Sequence, residues 1–275
     1  MRPVIEGFLT LGVDALRRAA EAPGEWAAID EIGYLESGCA PYCEAVGRLM
    51  ERKRTILVLR RQPLPFIDAL LARGDVFTVD LDDPFGNAGC VVMASGMGRR
   101  FGGNKLMVDF LGMPLIGHIL RTTEQLFADR VVVTRHPDAA EYCREMGVKT
   151  ILHDLPHRSD TVRLGIGQMG ESERCLFTPG DQPLLEKDTV MALLLAAKND
   201  PRSIWRTAYA GTPGAPILFP SDLYPELAAL PEGKGGGYLA KKYPERVRLI
   251  PVREAYELKD IDEQADLSAL LSIRR

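Results

Sequence analysis

Four glycines, two arginines and a lysine stand within eleven residues, directly after a short apolar run. The stretch reads Val91-Val92-Met93-Ala94-Ser95-Gly96-Met97-Gly98-Arg99-Arg100-Phe101-Gly102-Gly103-Asn104-Lys105. Glycine lets a backbone approach a ligand closely and turn its N–H groups towards an anion. Arg100 and Lys105 add the positive charge that a triphosphate needs. The chemistry open to such a loop is to hold a nucleotide by its phosphates. Ala94, Ser95, Gly96, Gly98, Arg99 and Gly102 would then lie along the nucleotide.

The spacing excludes two common glycine loops. A P-loop needs Gly-x-x-x-x-Gly-Lys-Ser/Thr. Here Lys105 follows Gly103 by two positions and precedes Leu106, so no hydroxyl is placed for magnesium. A dinucleotide fingerprint needs Gly-x-Gly-x-x-Gly. Phe101 stands at its third glycine.

A second candidate lies in Phe177-Thr178-Pro179-Gly180-Asp181-Gln182-Pro183. A carboxylate at the tip of an apolar strand, framed by Gly and two Pro, is rigidly aimed. Magnesium favours one or two carboxylates together with substrate phosphates. Asp181 is therefore a candidate ligand for Mg2+. The plainer alternative is an Asx hydrogen bond within a turn. His118, His136, His153 and His157 read as surface or capping residues.

The elements that must position these groups alternate along the chain. An acidic link with Pro and Gly, Asp80 to Asn87, divides it into residues 1–86 and 87–275. Before the link, helices are expected over Val13–Ala22, Pro41–Glu51 and Pro65–Ala72. Strands are expected over Trp26–Ile29, Thr55–Leu59 and Val76–Val79. After it, strands are expected over Cys90–Ala94, Arg130–Thr134, Lys149–Leu152, Arg174–Phe177 and Ile204–Ala208. Helices fall over Pro114–Phe127, Ala139–Met146, Thr161–Met169 and Thr189–Lys198. Such alternation predicts an α/β fold, a Rossmann-like, mainly parallel sheet covered on both faces. Ligands of such sheets bind at the carboxyl ends of the strands. Both the glycine loop and Asp181 would sit there.

The bulk properties are those of a globular protein: 275 residues, 46% hydrophobic and 26% charged. A net charge of −4 gives no basic footprint for nucleic acid. The absence of an apolar run near the ~18 residues of a membrane span predicts no membrane partner. The first residues lack an apolar signal-peptide core. Five scattered cysteines fit a reducing cytoplasm better than a disulfide framework. Cys39 and Cys43 read as buried thiols.

The glycine loop resembles the signature of the molybdenum cofactor nucleotidyltransferases, Leu-Ala-Ala-Gly-x-Ser-x-Arg-Met-Gly-x-x-Lys. Met93, Ala94, Gly96, Arg100, Gly102 and Lys105 fall on it, while Ser95, Gly98 and Phe101 depart from it. Gly180-Asp181-Gln182-Pro183 matches the family and leans towards its cytidylyl branch. His157-Arg158-Ser159-Asp160-Thr161 resembles a helix start that contacts base and ribose in related enzymes, which implies roles for Ser159 and Thr161. The same hydroxyls could simply cap a helix. Gly211 to Phe219 resembles the segment beside the acceptor, implicating Gly214 and Pro216, although a Pro/Gly loop before a strand would look alike. Asp260-Ile261-Asp262 resembles the family's Asp-Ile-Asp, so Asp262 or Asp260 would complete the metal site. An acidic helix N-terminus is the alternative. Glu232 to Tyr238 departs from the family by losing an acid and an arginine.

The resemblance runs from about residue 88 to the end. It implies a magnesium-dependent transfer of a nucleoside monophosphate, CMP first and GMP second. The donor is a nucleoside triphosphate and the acceptor molybdopterin, with a molybdenum hydroxylase as the downstream partner. A sugar- or polyol-phosphate nucleotidyltransferase and a non-catalytic cofactor-binding chaperone are the competing readings. The first 86 residues resemble the carboxyl-terminal half of small P-loop nucleoside triphosphatases, through Trp26-Ala27-Ala28-Ile29-Asp30-Glu31-Ile32-Gly33. Only 29 residues precede Asp30 and none forms a Walker A, so a smaller, partial P-loop-like α/β unit without hydrolysis is expected.

Overall fold

The computed structural model describes residues 5–273. The chain divides into two compact units, one ending at Thr78 and the other beginning at Val79.

In the first unit, α1 (Val13–Glu21), β1 (Trp26–Ile32), α2 (Ala40–Arg52), β2 (Arg54–Leu59) and α3 (Pro65–Leu71) follow one another. β1 and β2 pair in parallel. Ile29 and Ile32 join Val46 and Leu49 of α2 in a small core. The opposite sheet face keeps Trp26 and Ile56 exposed, at 61% and 58%. β1 runs past Ile29, where a strand end was expected. Its register shifts between Ile29 and Ile32, and Glu31 takes a φ of +74°. The strand expected at Val76–Val79 is absent. Three of its four residues are apolar, but among the described residues the stretch joins no sheet, and strand conformation depends on a sheet to take up its backbone groups.

The second unit holds β3 (Ala88–Ala94), α4 (Leu115–Thr122), β4 (Asp129–Thr134), α5 (Pro137–Glu145), β5 (Lys149–Leu152) and α6 (Arg158–Ile166). It continues with β6 (Arg174–Pro179), α7 (Lys187–Asn199), β7 (Ile204–Tyr209), β8 (Thr212–Pro220), β9 (Val247–Pro251) and α8 (Gln264–Ile273). Beside a separate pair of two-residue strands, Asp109–Phe110 and Met113–Pro114, these seven strands form one sheet in the order β9-β7-β8-β6-β3-β4-β5. Only β8 runs against the others.

The continuous apolar run of β3 explains its central place. Cys90, Val92 and Ala94 enter the core on one face, and Val91 enters the core on the other. Strands buried on both faces lose the alternation of half-exposed ones. Full burial of a valine contributes roughly 1.5–3 kcal/mol. α6 lies close over this strand because Gly165 faces it: a β-carbon there would meet Val91 at 2.5 Å. Trp205 of β7 is half-buried and donates its indole N–H to Asp200 O at 3.2 Å.

Two helix expectations shift. α4 stops at Thr122 rather than Phe127, because the Thr123 hydroxyl turns back onto Ile119 O at 2.7 Å and Gln125 takes a φ of +62°. α6 starts at Arg158 rather than Thr161, because the Asp160 carboxylate takes the His157 N–H at 3.0 Å and so caps the first turn earlier.

Candidate functional site

The chain order makes the site. β3, β4 and β5 are laid outward in one direction, and the chain then returns to place β6 on the other side of β3. The crevice outside the carboxyl ends of such a reversal is where open α/β sheets bind ligands. The glycine loop leaves β3 at this point, and Asp181 follows β6. Gly180 permits the approach: its N–H reaches Met93 O at 3.0 Å, and a β-carbon would touch Ala94 and Leu106 at 3.4 Å.

Gly98, a departure from the resembled signature, is dictated by the turn. Its φ is +58°, and a β-carbon would lie 2.0 Å from Gly103 O. Its own carbonyl accepts from the N–H groups of Gly102 and Gly103. The turn delivers Lys105, which begins a single 3-10 turn, Lys105–Met107. Asn104 caps that turn by accepting the Leu106 N–H at 3.2 Å.

Lys105 is the hub. Its ammonium lies 2.6 Å from Asp181 Oδ2 and 2.9 Å from Asp262 Oδ1, and its side chain is 7% exposed. Arg100 reaches the other oxygen of Asp262 at 2.6 Å. Burial opposes the charge on Lys105, but the two carboxylates outweigh it and raise its pKa. The hydrogen bond from Lys105, with the charges of Lys105 and Arg100, holds Asp262 below the usual carboxylate range. Asp262 comes from the segment before α8, which the Ile261 N–H ties to Asp181 O at 3.0 Å. Asp266 performs the capping that an acidic helix start suggested, accepting from the N–H groups of Asp262 and Glu263. The capping reading of this acidic segment thus falls on Asp266, while Asp262 faces Lys105 and Arg100.

A divalent cation fits this donor set. Asp181 and Asp262, from separate segments, come within reach of one point, and one or two carboxylates together with substrate phosphates are what Mg2+ uses. Among the described residues, no group of three or more His, Cys, Asp or Glu forms a self-sufficient metal cage. Substrate oxygens and water would have to supply the remaining ligands.

The other expected residues are placed as follows. Arg99 makes no hydrogen bond or ion pair among the described residues, and Arg100 remains 66% exposed. Ser159 and Thr161 are buried in the first turn of α6, and the Ser159 hydroxyl has no partner. Gly214 sits at an irregularity of β8, where its carbonyl is clamped by Arg206 at 2.9 and 3.2 Å. A β-carbon on Gly214 would meet Leu258 at 2.9 Å, and Leu258 O accepts from Gln182 beside Asp181. Pro216 is buried in the same strand and follows a cis peptide bond. In the first unit, Asp30 is exposed and Glu31 is paired with Arg60. All five cysteines are free.

The histidines, expected as surface or capping residues, also make contacts that this expectation did not include. His136 Nε2 lies 2.8 Å from Gly96 O, and His153 Nε2 lies 2.8 Å from Ser95 Oγ. His118 binds Phe110 O at 2.7 Å. His136 and His157 do stand at helix caps, as the capping alternative had it, His136 before α5 and His157 before α6. Thr134 and Asp138 were also missed: they bind Ala94 O and the Asn104 amide at 2.9 and 2.7 Å. The one sequence signal was their spacing, since positions 134, 136 and 138 alternate just where a strand ends.

This arrangement, a glycine loop and an acid on either side of the reversal in a mostly parallel sheet, is the nucleotidyltransferase form of the α/β fold. The profile of the MobA-like NTP transferase domain matches residues 90–247, and the chain belongs to that family. A 3-deoxy-manno-octulosonate cytidylyltransferase of Helicobacter pylori is 31% identical over 102 residues, 36% of this chain and 42% of that protein. A probable molybdenum cofactor guanylyltransferase of Bacillus licheniformis is 30% identical over 107 residues, 38% of this chain and 53% of that one. The chain thus spans about half the length of these curated relatives. Crystal structures of Rv0371c from Mycobacterium tuberculosis, the second a complex with manganese, align with TM-scores of 0.60 and 0.55. Their identities are 22% and 21%; each covers 68% of this chain, and 99% and 98% of theirs. Among the described residues no helix is long and apolar enough to cross a membrane.

Proposed function

We propose that residues 87–275 transfer a nucleoside monophosphate from a nucleoside triphosphate to a phosphorylated acceptor and release pyrophosphate. The observation that carries this reading is the Lys105 ammonium set between Asp181 and Asp262 at the mouth of the glycine loop. The loop's N–H groups, with Arg100 and Lys105, would cradle the triphosphate. The same two cations would neutralise charge as pyrophosphate departs. Asp181 and Asp262 would hold Mg2+, which when bound draws charge from the phosphates. A neighbour of the same fold was crystallised with manganese, which supports a divalent ion in this reading.

The chain's own task is positioning and fixed electrostatics, the terms expected to dominate phosphoryl chemistry. An acceptor phosphate oxygen is already nucleophilic, so no dedicated base is required. CTP is the first choice of donor, on the Gly-Asp-Gln-Pro form of the Asp181 turn. GTP follows, on the relationship to a guanylyltransferase. Molybdopterin is the first choice of acceptor and a sugar-acid or polyol phosphate the second, given the octulosonate relative. The first unit, with Asp30 exposed and Glu31 engaged by Arg60, serves in this reading as a partial P-loop-like remnant without hydrolysis.

The test is pyrophosphate release with CTP, GTP or ATP, Mg2+ and each acceptor class, on the wild type and Asp181→Ala. Release with one nucleotide, reduced by at least about 10²-fold in the variant, is expected. Tight nucleotide binding with no release on any acceptor would replace the transferase with a cofactor carrier.

A further inference from the structure

The glycine loop is fastened from outside at both ends, and the fasteners come from a single short stretch and one distant histidine. Thr134 Oγ1 donates to Ala94 O at 2.9 Å and also accepts the His136 N–H at 3.1 Å. His136 Nε2 then meets Gly96 O at 2.8 Å. At the far end, the Asn104 amide donates to Asp138 Oδ1 at 2.7 Å. Between them, Ser95 Oγ meets Val133 O at 3.1 Å and His153 Nε2 at 2.8 Å.

The proton positions follow from the acceptors. Carbonyl oxygens only accept, so His136 carries its proton on Nε2 and Ser95 donates to Val133 O. Ser95 Oγ must then accept from His153, whose proton is also on Nε2. His153 Nδ1 is left buried without a partner. The groups facing this ring are Arg135, Asp154 and Asp160. Burial and Arg135 push its pKa down against the two acids. A neutral ring with a fixed tautomer is a stiff donor, suited to holding a hydroxyl in one place.

We propose that His153, acting through Ser95, is a positioning residue of the nucleotide loop, beside the contact His136 makes with Gly96 O. It fixes the loop's entrance so that the N–H groups beyond Ser95 are aimed at the triphosphate before it arrives. Its ring does not touch the reacting atoms. The inference rests on the nucleotide-binding reading of the loop, and one arm of its test does not.

Three single variants, His153→Ala, His153→Gln and Ser95→Ala, and the double variant His153→Ala/Ser95→Ala separate the possibilities. The Gln amide keeps a donor close to the place of Nε2. The first readout is hydrogen exchange of the amides of residues 95–104 in the free protein. Faster exchange in both Ala variants, and near-wild-type exchange in the Gln variant, is expected. The second is calorimetric binding of CTP and GTP with Mg2+. Each Ala change should weaken binding about five- to tenfold, the equivalent of one hydrogen bond. The double variant should be no worse than either single one. In turnover the loss should fall on KM, with kcat kept.

Unchanged exchange in His153→Ala, or fully additive losses in the double variant, would overturn the positioning role. Failure of the wild type to bind either nucleotide would overturn the transferase reading instead. The exchange arm would still decide the clamp.

Discussion

Lys105 concentrates the site's electrostatics in one atom. Its nitrogen serves two carboxylates that would otherwise face each other across the crevice. Lys105→Met removes the cation, leaving Asp181 uncompensated and Asp262 with Arg100 alone. The cost should be about 1–3 kcal/mol, below that of a fully buried pair because Asp262 is 39% exposed. The folded-state pKa of Lys105 is raised, so its contribution is complete below the unfolded value near ~10.4 and disappears only as pH rises through the higher folded value. Thermal melts across pH should therefore show a constant deficit for the variant up to about pH 10 and a shrinking one above it. Added Mg2+ should raise the melting temperature of the variant more than that of the wild type, since it enters a site with a vacated charge. Equal shifts would exclude Asp181 and Asp262 as a shared ion site. At this scale the sequence was informative where one residue type has one use. Arg100, Lys105, Asp181 and Asp262 were legible, and the structure joins them. The histidines were not, because a ring that holds a distant carbonyl has the same local sequence as one on the surface.

At the scale of elements, the helix that carries Ser159 and Thr161 depends on its first turn. The Asp160 carboxylate accepts the His157 N–H and meets Arg163 at 2.9 Å. The backbone N–H first, and then Arg163, hold its pKa below the usual range. A depressed carboxylate stabilises above the unfolded value near ~3.9, and that stabilisation is lost as pH falls through the lower folded value. Asp160→Asn should cost about 1 kcal/mol at pH 7, the usual value of a helix-start contact. Denaturant titrations should show the gap closing below about pH 4; a gap unchanged at pH 3 would mean that the charge is irrelevant. Strand legibility followed burial. The apolar runs of β3 and β4 could form little but central strands, whereas Val76–Val79 has strand composition and joins no sheet among the described residues. Composition is local and pairing is not. The same limit hid the register shift in β1, where Glu31 takes a φ of +74° between Ile29 and Ile32.

For the whole molecule, the division at Thr78 and Val79 leaves each unit with its own core. The strand that opens the second unit is preceded by a segment fastened within that unit: Lys198 meets Asp83 Oδ2 at 3.0 Å. A chain beginning at Val79 should therefore fold and bind nucleotide within about threefold of the full chain, as domains with separate cores usually do. Calorimetry on the two side by side checks this. Loss of binding with folding intact would give the first unit a share in the site.

The two tryptophans fall one to each unit, Trp26 on the open face of the small sheet and Trp205 with its indole N–H bound inside the large one. Nature has placed a separate optical probe in each half. Trp26 should emit at the long wavelengths of a ring in contact with water, and Trp205 at shorter ones. A single emission spectrum recorded through a melt thus reads the two units apart, with no label attached.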